Sequence, residues 1–152
     1  MIYLLAALIG AVAGLRAMTA PAAISLGAWM GWFSLDHAWL SWLASPWAAG
    51  LFTLAALGEL VTDQLPSTPS RKVPVQFGAR LISGALCGAA IGASAYLLVP
   101  GLVAGVIGAV IGTYGGAALR SRLATGFGRD APAAILEDAI AIGAAAAIVC
   151  TL

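Results

Sequence analysis

The hydrophobic residues fall into long runs that are separated by short polar segments. A helix that crosses a bilayer needs roughly 20 mostly apolar residues. Four of the runs predict spanning helices over about residues 47–65, 74–98, 102–123 and 131–150. The pattern therefore predicts an all-α integral membrane helical bundle, with residues 1–152 forming a single transmembrane domain.

The first run, from Ile2 to about Phe33, is too long for one straight spanning helix and contains Arg16 and Pro21. Proline removes a hydrogen bond and disfavours helical geometry in the residue before it. The run is either one long kinked helix, which gives five transmembrane helices, or two shorter helices broken near Pro21, which gives six. No basic region precedes it, so we expect a retained span and not a signal peptide.

All five tryptophans lie between Trp29 and Trp47. Tryptophan concentrates where a membrane meets water. The segment between the first run and the second therefore predicts an interfacial region that includes a short helix lying flat.

Composition supports a membrane protein, because 62% of the residues are hydrophobic and 9% are charged. Soluble domains carry about 25% charged residues. Small residues let helices approach closely in lipid, and the chain has 19 glycines. Two series at four-residue spacing predict glycine-zipper packing: Gly84, Gly88 and Gly92, then Gly108, Gly112 and Gly116.

The sequence gives little support for nucleic-acid binding, for a disulfide or metal site, or for catalysis. The net charge of +1 gives no electrostatic case for nucleic acid, and His37 is the only histidine. Cys87 and Cys150 lie in apolar runs, which favours small buried hydrophobes over a disulfide or metal site. We predict no enzyme, cofactor or metal. An intramembrane enzyme acting on lipids ranks last, because no nucleophile–histidine pair and no extended Asp-rich motif is present.

Charged residues inside the apolar runs are the candidate ion or substrate site. They are Glu59, Asp63, Arg80, Glu137, Asp138 and Arg16. Counted at about 1.5 Å per residue from the neighbouring prolines, Glu59, Arg80 and the Glu137–Asp138 pair all lie roughly 8–10 Å deep. The count predicts one charged layer shared by three helices, with Arg16 deeper.

Basic residues near the helix ends give an orientation. They fall after the second and fourth spans, at Arg71, Lys72, Arg120, Arg122 and Arg129. Basic loops remain cytoplasmic. With five spans, this rule places the N-terminus inside and the C-terminus outside.

The charged layer allows two functions. Acids outnumber bases in it by two, and intramembrane ionisable groups are functional candidates by default. We therefore predict a transporter or permeation protein for a cation, a proton-coupled solute or a polar headgroup, in which a homo-oligomer encloses the pathway. The alternative is a non-transporting structural or partner-binding subunit whose charges are interhelical ion pairs. Glu137 and Asp138 lie about 100° apart on a helix, so we expect one to face the cavity and the other to pair with a neighbour.

A weak internal similarity links residues 14–19 to residues 78–83, with an arginine third in each segment. If the first run forms two spans, the chain becomes three plus three helices of inverted topology, as in many transporters.

Four segments resemble the uncharacterised membrane family named domain of unknown function 4126. They are Gly-Leu-Arg-Ala-Met-Thr-Ala-Pro (residues 14–21), Gly-Glu-Leu-Val-Thr-Asp-Gln-Leu-Pro-Ser-Thr-Pro-Ser-Arg (58–71), Ala-Arg-Leu-Ile-Ser-Gly-Ala (79–85) and Leu-Glu-Asp-Ala-Ile-Ala-Ile (136–142). Lysine is common in the family where Gln64 stands here. The resemblance covers nearly the whole chain and implies a bacterial multi-pass protein of the inner membrane, without implying an activity.

Overall fold

The computed structural model describes residues 1–35, 39–63 and 73–152. Regular structure in these ranges is entirely helical, which confirms the predicted all-α fold there. The elements are α1 (Ile2–Leu15), α2 (Thr19–Trp29), a 3₁₀ helix (Trp39–Ala44), α3 (Pro46–Thr62), α4 (Pro74–Ala93), α5 (Leu98–Phe127) and α6 (Asp130–Cys150). The basic pair Arg71 and Lys72, together with His37, lies outside the described residues.

Three helices, α4, α5 and α6, are long and apolar enough to cross a membrane. Helices α1 and α3 are also apolar but have 14 and 17 residues. Helix α2 has 11 residues, which corresponds to about 16 Å against a hydrocarbon core of about 30 Å. The prediction of a membrane protein is therefore supported by α4–α6.

The first apolar run folds as two helices. The break lies at residues 16–18, slightly before the predicted position at Pro21. Arg16 ends α1 in an extended conformation, with φ −140° and ψ 112°. Pro21 lies in the first turn of α2, where a backbone N–H has no acceptor within the helix. Proline therefore does not interrupt α2.

The glycines of α1 fix its direction relative to α5. Gly10 lies against Gly105, and Gly14 lies against Gly112, so α1 and α5 run the same way. Two residues connect α5 to α6, and α6 runs antiparallel to α5. Helices α1 and α6 therefore point in opposite directions.

Helix α2 follows the direction of α6. Arg16, just before α2, contacts Asp138 near the start of α6. Gly27, near the end of α2, lies against Val149, near the end of α6. Helices α1 and α2 thus form an antiparallel hairpin, and the six α-helices alternate in direction along the chain.

Both chain termini lie at one end of the bundle. Ile2 and Leu152 line the same pocket, together with Phe33 and residues 93–96. We call this the terminal end, and the opposite end, which contains Arg16 and Asp138, the charged end. This arrangement matches the two-helix alternative for the first run, in which the chain reverses direction at residues 16–18, and differs from the five-span prediction of termini on opposite sides.

The connection between α4 and α5 also differs from its prediction. The predicted spans over residues 74–98 and 102–123 place the turn at Pro100 and Gly101, but both residues lie within the first turns of α5. The chain turns at residues 94–97 instead, where Tyr96 adopts a positive φ of 58°. The carbonyl oxygen of Leu97 accepts a hydrogen bond from the amide of Gly101. Pro100 is tolerated there for the same reason as Pro21.

Glycines join α1, α4 and α5 by direct backbone contact. This glycine seam comprises Gly10 and Gly14 of α1, Gly84, Gly88 and Gly92 of α4, and Gly101, Gly105, Gly108 and Gly112 of α5. A β-carbon at any of them would overlap an atom of a neighbouring helix. The predicted packing role is confirmed for Gly84, Gly88, Gly92, Gly108 and Gly112. Gly101 faces α4, Gly108 and Gly112 face α1, and Gly105 contacts both helices.

The tryptophan-rich segment contains the predicted short helix, which takes the 3₁₀ form. Its Leu40 and Leu43 are buried, whereas Trp39 and Trp42 are exposed. The 3₁₀ helix packs at the terminal end, mainly against α2.

A charged layer around a helix break

The turn at residues 16–18 exposes two helix ends inside the bundle. The last carbonyl groups of α1 and the first amide groups of α2 have no partners within their own helices. Neither helix supplies a side-chain cap of its own at this turn. Partners for these groups come from α3, α4 and α5.

Glu59 of α3 caps the start of α2. Its Oε1 accepts a hydrogen bond from the amide of Ala17 at 2.9 Å, and its Oε2 accepts one from the amide of Met18 at 2.8 Å. A carboxylate at a helix N-terminus is favoured by both the free amides and the helix dipole. Glu59 therefore stabilises α2 through charge as well as through hydrogen bonds.

Arg80 of α4 caps the C-terminal end of α1. Its Nη1 donates to the carbonyl oxygens of Gly14 at 2.8 Å and Leu15 at 2.6 Å. A cation is favoured at a helix C-terminus. Nη2 of Arg80 also lies 4.0 Å from Oε1 of Glu59, so the two capping charges attract each other.

Two hydroxyl groups complete the contacts of the turn. Ser83 Oγ donates to the carbonyl oxygen of Ala17. Thr113 Oγ1 of α5 lies within 3.3 Å of the carbonyl oxygen of Gly14. The turn is thus fixed by side chains from three other helices.

Arg16 connects α3 to α6. Its Nε donates to Oδ1 of Asp138 at 2.7 Å, and its Nη2 also bonds that oxygen. Its Nη1 donates to Oδ2 of Asp63 at 2.9 Å and to the carbonyl oxygen of Glu59 at 3.2 Å. We call the group Asp63–Arg16–Asp138 the Arg16 bridge.

The charged side chains differ in exposure. Those of Arg16 and Arg80 are 1% and 2% exposed, whereas those of Glu59, Asp63 and Asp138 are each 13% exposed. The guanidinium groups therefore lie behind the carboxylates as seen from outside the bundle.

A third arginine belongs to this layer. Arg120 makes a bidentate pair with Asp130, at 3.0 and 2.6 Å, and its Nη1 lies 3.6 Å from Oε2 of the buried Glu137. The sequence analysis ends the fourth span near Leu123 and groups Arg120 with the basic residues of the loop that follows. Arg120 follows Gly116 by four residues and so lies on the same, packed face of α5. This spacing distinguishes Arg120 from Arg122.

The structure brings all six predicted residues into the charged layer. The prediction that Arg16 lies deeper than the others is wrong, because the short α1 ends at the level of Asp63 and Asp138. The adjacent acids diverge as expected for neighbours on a helix, since Asp138 meets Arg16 while Glu137 faces Arg120. A ligand role for these residues stays a prediction.

The described ranges contain no group of three or more His, Cys, Asp or Glu side chains placed to hold a metal ion. Cys87 and Cys150 are both free thiols, the first buried and the second exposed. The described charged groups of the layer are carboxylates, which accept hydrogen bonds and bind cations, and guanidinium groups, which donate hydrogen bonds and bind anions.

A family model described as "Domain of unknown function (DUF4126)" matches residues 3–150. The chain belongs to the DUF4126 family. The match includes the helix break, Glu59, Arg80 and the Arg16 bridge, so the whole charged layer of this DUF4126 protein lies within the family region. No curated protein and no solved structure matches the chain significantly.

Proposed function

We propose that this protein is a small bacterial inner-membrane transporter or permeation protein, and that the charged layer is its site for a cation, a proton-coupled solute or a polar headgroup. The observation that carries the proposal is the order of exposure. Three carboxylates are partly exposed, with the sealed guanidinium groups of Arg16 and Arg80 behind them. At Glu59, Asp63 and Asp138 a positively charged solute would meet acceptor oxygens before the guanidinium groups of Arg16 and Arg80, whereas on the Glu137 side Arg120 is the more exposed partner.

The balance of charge supports the same proposal. Among the described residues the layer contains three guanidinium groups, those of Arg16, Arg80 and Arg120, and four carboxylates that are at most 13% exposed, those of Glu59, Asp63, Glu137 and Asp138. An excess of negative charge in a low-dielectric region favours uptake of a cation or a proton.

The helix break is a second support. In many transporters the ion and substrate sites form where a helix is interrupted, because the freed backbone groups and helix dipoles interact with charges. Here, Glu59 and Arg80 occupy those groups. The charged side chains and the backbone groups of the break therefore form one connected group.

For the topology we propose six helices within the membrane region, with the charged end cytoplasmic because the basic residues cluster there. Both termini would then be external. Cysteines introduced at each terminus should react with an impermeant maleimide in intact spheroplasts. Labelling of only one terminus would support the five-span arrangement instead.

We propose that the protein lies in the lipid bilayer. We also propose a homo-oligomer, because a chain of 152 residues is short for enclosing a pathway alone. We propose neither an enzymatic activity nor a nucleic-acid partner.

Flux in proteoliposomes tests the proposal. We expect Asp63→Asn and Glu59→Gln to reduce uptake of H⁺, K⁺, Na⁺ or a small organic cation at least tenfold. Arg122→Gln is the control, because Arg122 is exposed and lies outside the layer, and we expect its flux to stay within twofold of the unchanged protein. Equal flux in all of these proteins, for every solute, would contradict a transport role for the layer.

The second candidate is a structural or partner-binding subunit. It is supported by the hydrogen bonds and ion pairs that the acids of the layer make with this chain's own groups. It expects Glu59→Gln to lower stability in detergent while leaving every flux unchanged.

A further inference from the structure

A groove runs between α3 and α6, with α2 at its base. Its volume is about 300 Å³. Its lining is almost entirely apolar and includes Leu26 of α2, Met30 directly after α2, Leu57 and Leu60 of α3, and Ile142 of α6. The chain rises about 16 Å from Thr19 to Met30, and both residues line the groove.

On each wall of this groove, the helix face that lines the groove also carries a carboxylate at its charged end. On α3, Thr53, Ala56 and Leu60 line the groove, and Asp63 follows Leu60 by three residues. Residues three and four apart lie on the same helix face. Asp63 therefore lies at the charged end of this wall.

The opposite wall repeats the arrangement. On α6, Val149, Ala145 and Ile142 line the groove, and Asp138 precedes Ile142 by four residues. The two carboxylates thus stand at the same end of one apolar groove. Arg16 joins them there.

Arg16 also links the two walls at the charged end, beyond the packing of both walls on α2. Helices α3 and α6 share little direct contact in the described residues. The bridge holds two carboxylates and one guanidinium group. Its formal charge is −1, which one further monovalent cation would neutralise while Arg16 stays in place.

We propose that the groove and the Arg16 bridge together bind an amphipathic organic cation, with its apolar part along the groove and its cationic group at Asp63 and Asp138. An apolar groove that ends in a few convergent polar groups is the common form of a small-molecule site. Complementary charge selects this occupant over a neutral acyl chain, and the apolar length selects it over an inorganic cation. The inference rests on the proposed function, because it names a substrate class for the same carboxylates.

Binding to the purified full chain tests the inference. Decylguanidinium is titrated into the protein in a neutral detergent, with protein-free micelles as the blank. We expect saturable binding at least tenfold tighter than that of decanol, decyl sulfate or free guanidinium. Equal binding of decanol would show that the carboxylates take no part and would overturn the inference.

Two variants separate the groove from the charges. Ala146→Leu fills the groove but leaves the bridge intact, and we expect at least a tenfold loss of decylguanidinium binding. Ala147→Leu is the matched control, since the exposed Ala147 is adjacent in sequence but lies outside the groove lining. Equal binding by both variants would overturn the inference.

Cation flux distinguishes this failure from failure of the proposed function. Loss of flux in Asp63→Asn with unchanged flux and binding in Ala146→Leu would leave the proposed function standing and remove the amphipathic substrate. Unchanged flux in both variants would contradict both. Circular dichroism and size-exclusion chromatography identify a variant that has not folded, and Asp138→Asn then replaces Asp63→Asn.

Discussion

The two halves of the bundle are held together by different forces. Helices α1, α4 and α5 meet along the glycine seam, where backbones touch and no space is left for a side chain. Helices α2, α3 and α6 instead surround an open apolar groove and are joined at the charged end through the Arg16 bridge.

The comparison shows where the molecule can change shape. Backbone contacts in a close-packed region tolerate little displacement. The groove walls α3 and α6 share little direct contact in the described residues, so they lose little packing against each other when they move apart. We infer that the glycine seam is the fixed part of the protein and that α2, α3 and α6 are the adjustable part, with the turn at residues 16–18 between them.

The largest effect should come from removing the bridge. Arg16→Gln leaves Asp63 and Asp138 without their buried partner, and breaking such a pair costs about 3–5 kcal/mol. Unfolding in mixed detergent micelles measures the loss, with Arg122→Gln on the exposed face of α5 as the control.

Restoring neutrality checks the cause. Adding Asp63→Asn and Asp138→Asn to Arg16→Gln should recover a large part of the lost free energy of unfolding. No recovery would mean that the bridge stabilises through packing alone.

A somewhat smaller loss should follow a change in the glycine seam. Gly112→Ala would place a β-carbon on the backbone of Ala11, and overpacking costs about 1–3 kcal/mol. Gly115→Ala, three residues away, meets open space and should stabilise α5 by about 0.5–1 kcal/mol. The same unfolding assay compares them, and equal stabilities would contradict the close contact between α1 and α5.

The smallest effect should come from the cap on α2. Glu59→Gln keeps an acceptor but removes the charge, which costs about 1 kcal/mol. Hydrogen exchange should become faster at the amides of Ala17 and Met18 while the amides of α5 stay unchanged. Unaltered protection at both amides would show that Glu59 does not stabilise the hairpin.

Sequence reasoning predicted the helical class, the role of the glycines and the charged layer, because each depends on local composition or on distance along a helix. The depth of Glu59 and Arg80 could be counted from nearby prolines. The position of Arg16 could not, since it depends on a reversal at residues 16–18 that carries neither proline nor glycine.

Counting residues along the chain also could not predict which charged side chains pair with each other. Arg120 joins the layer because α5 continues to Phe127, whereas the apolar run weakens earlier. The groove arises from the packing of α3 and α6 on either side of α2, which no periodicity in a single helix reveals.

Distances between helices test the central claim, that the bridge holds the adjustable half while the glycine seam stays fixed. In a background with both cysteines replaced by alanine, spin labels at Leu54 and Ala147 report on α3 and α6, and labels at Leu8 and Ile111 report on α1 and α5. All four positions are exposed. We predict that Arg16→Gln broadens the α3–α6 distance distribution and leaves the α1–α5 distribution unchanged. An unchanged α3–α6 distribution, or equal broadening of both, would contradict the account.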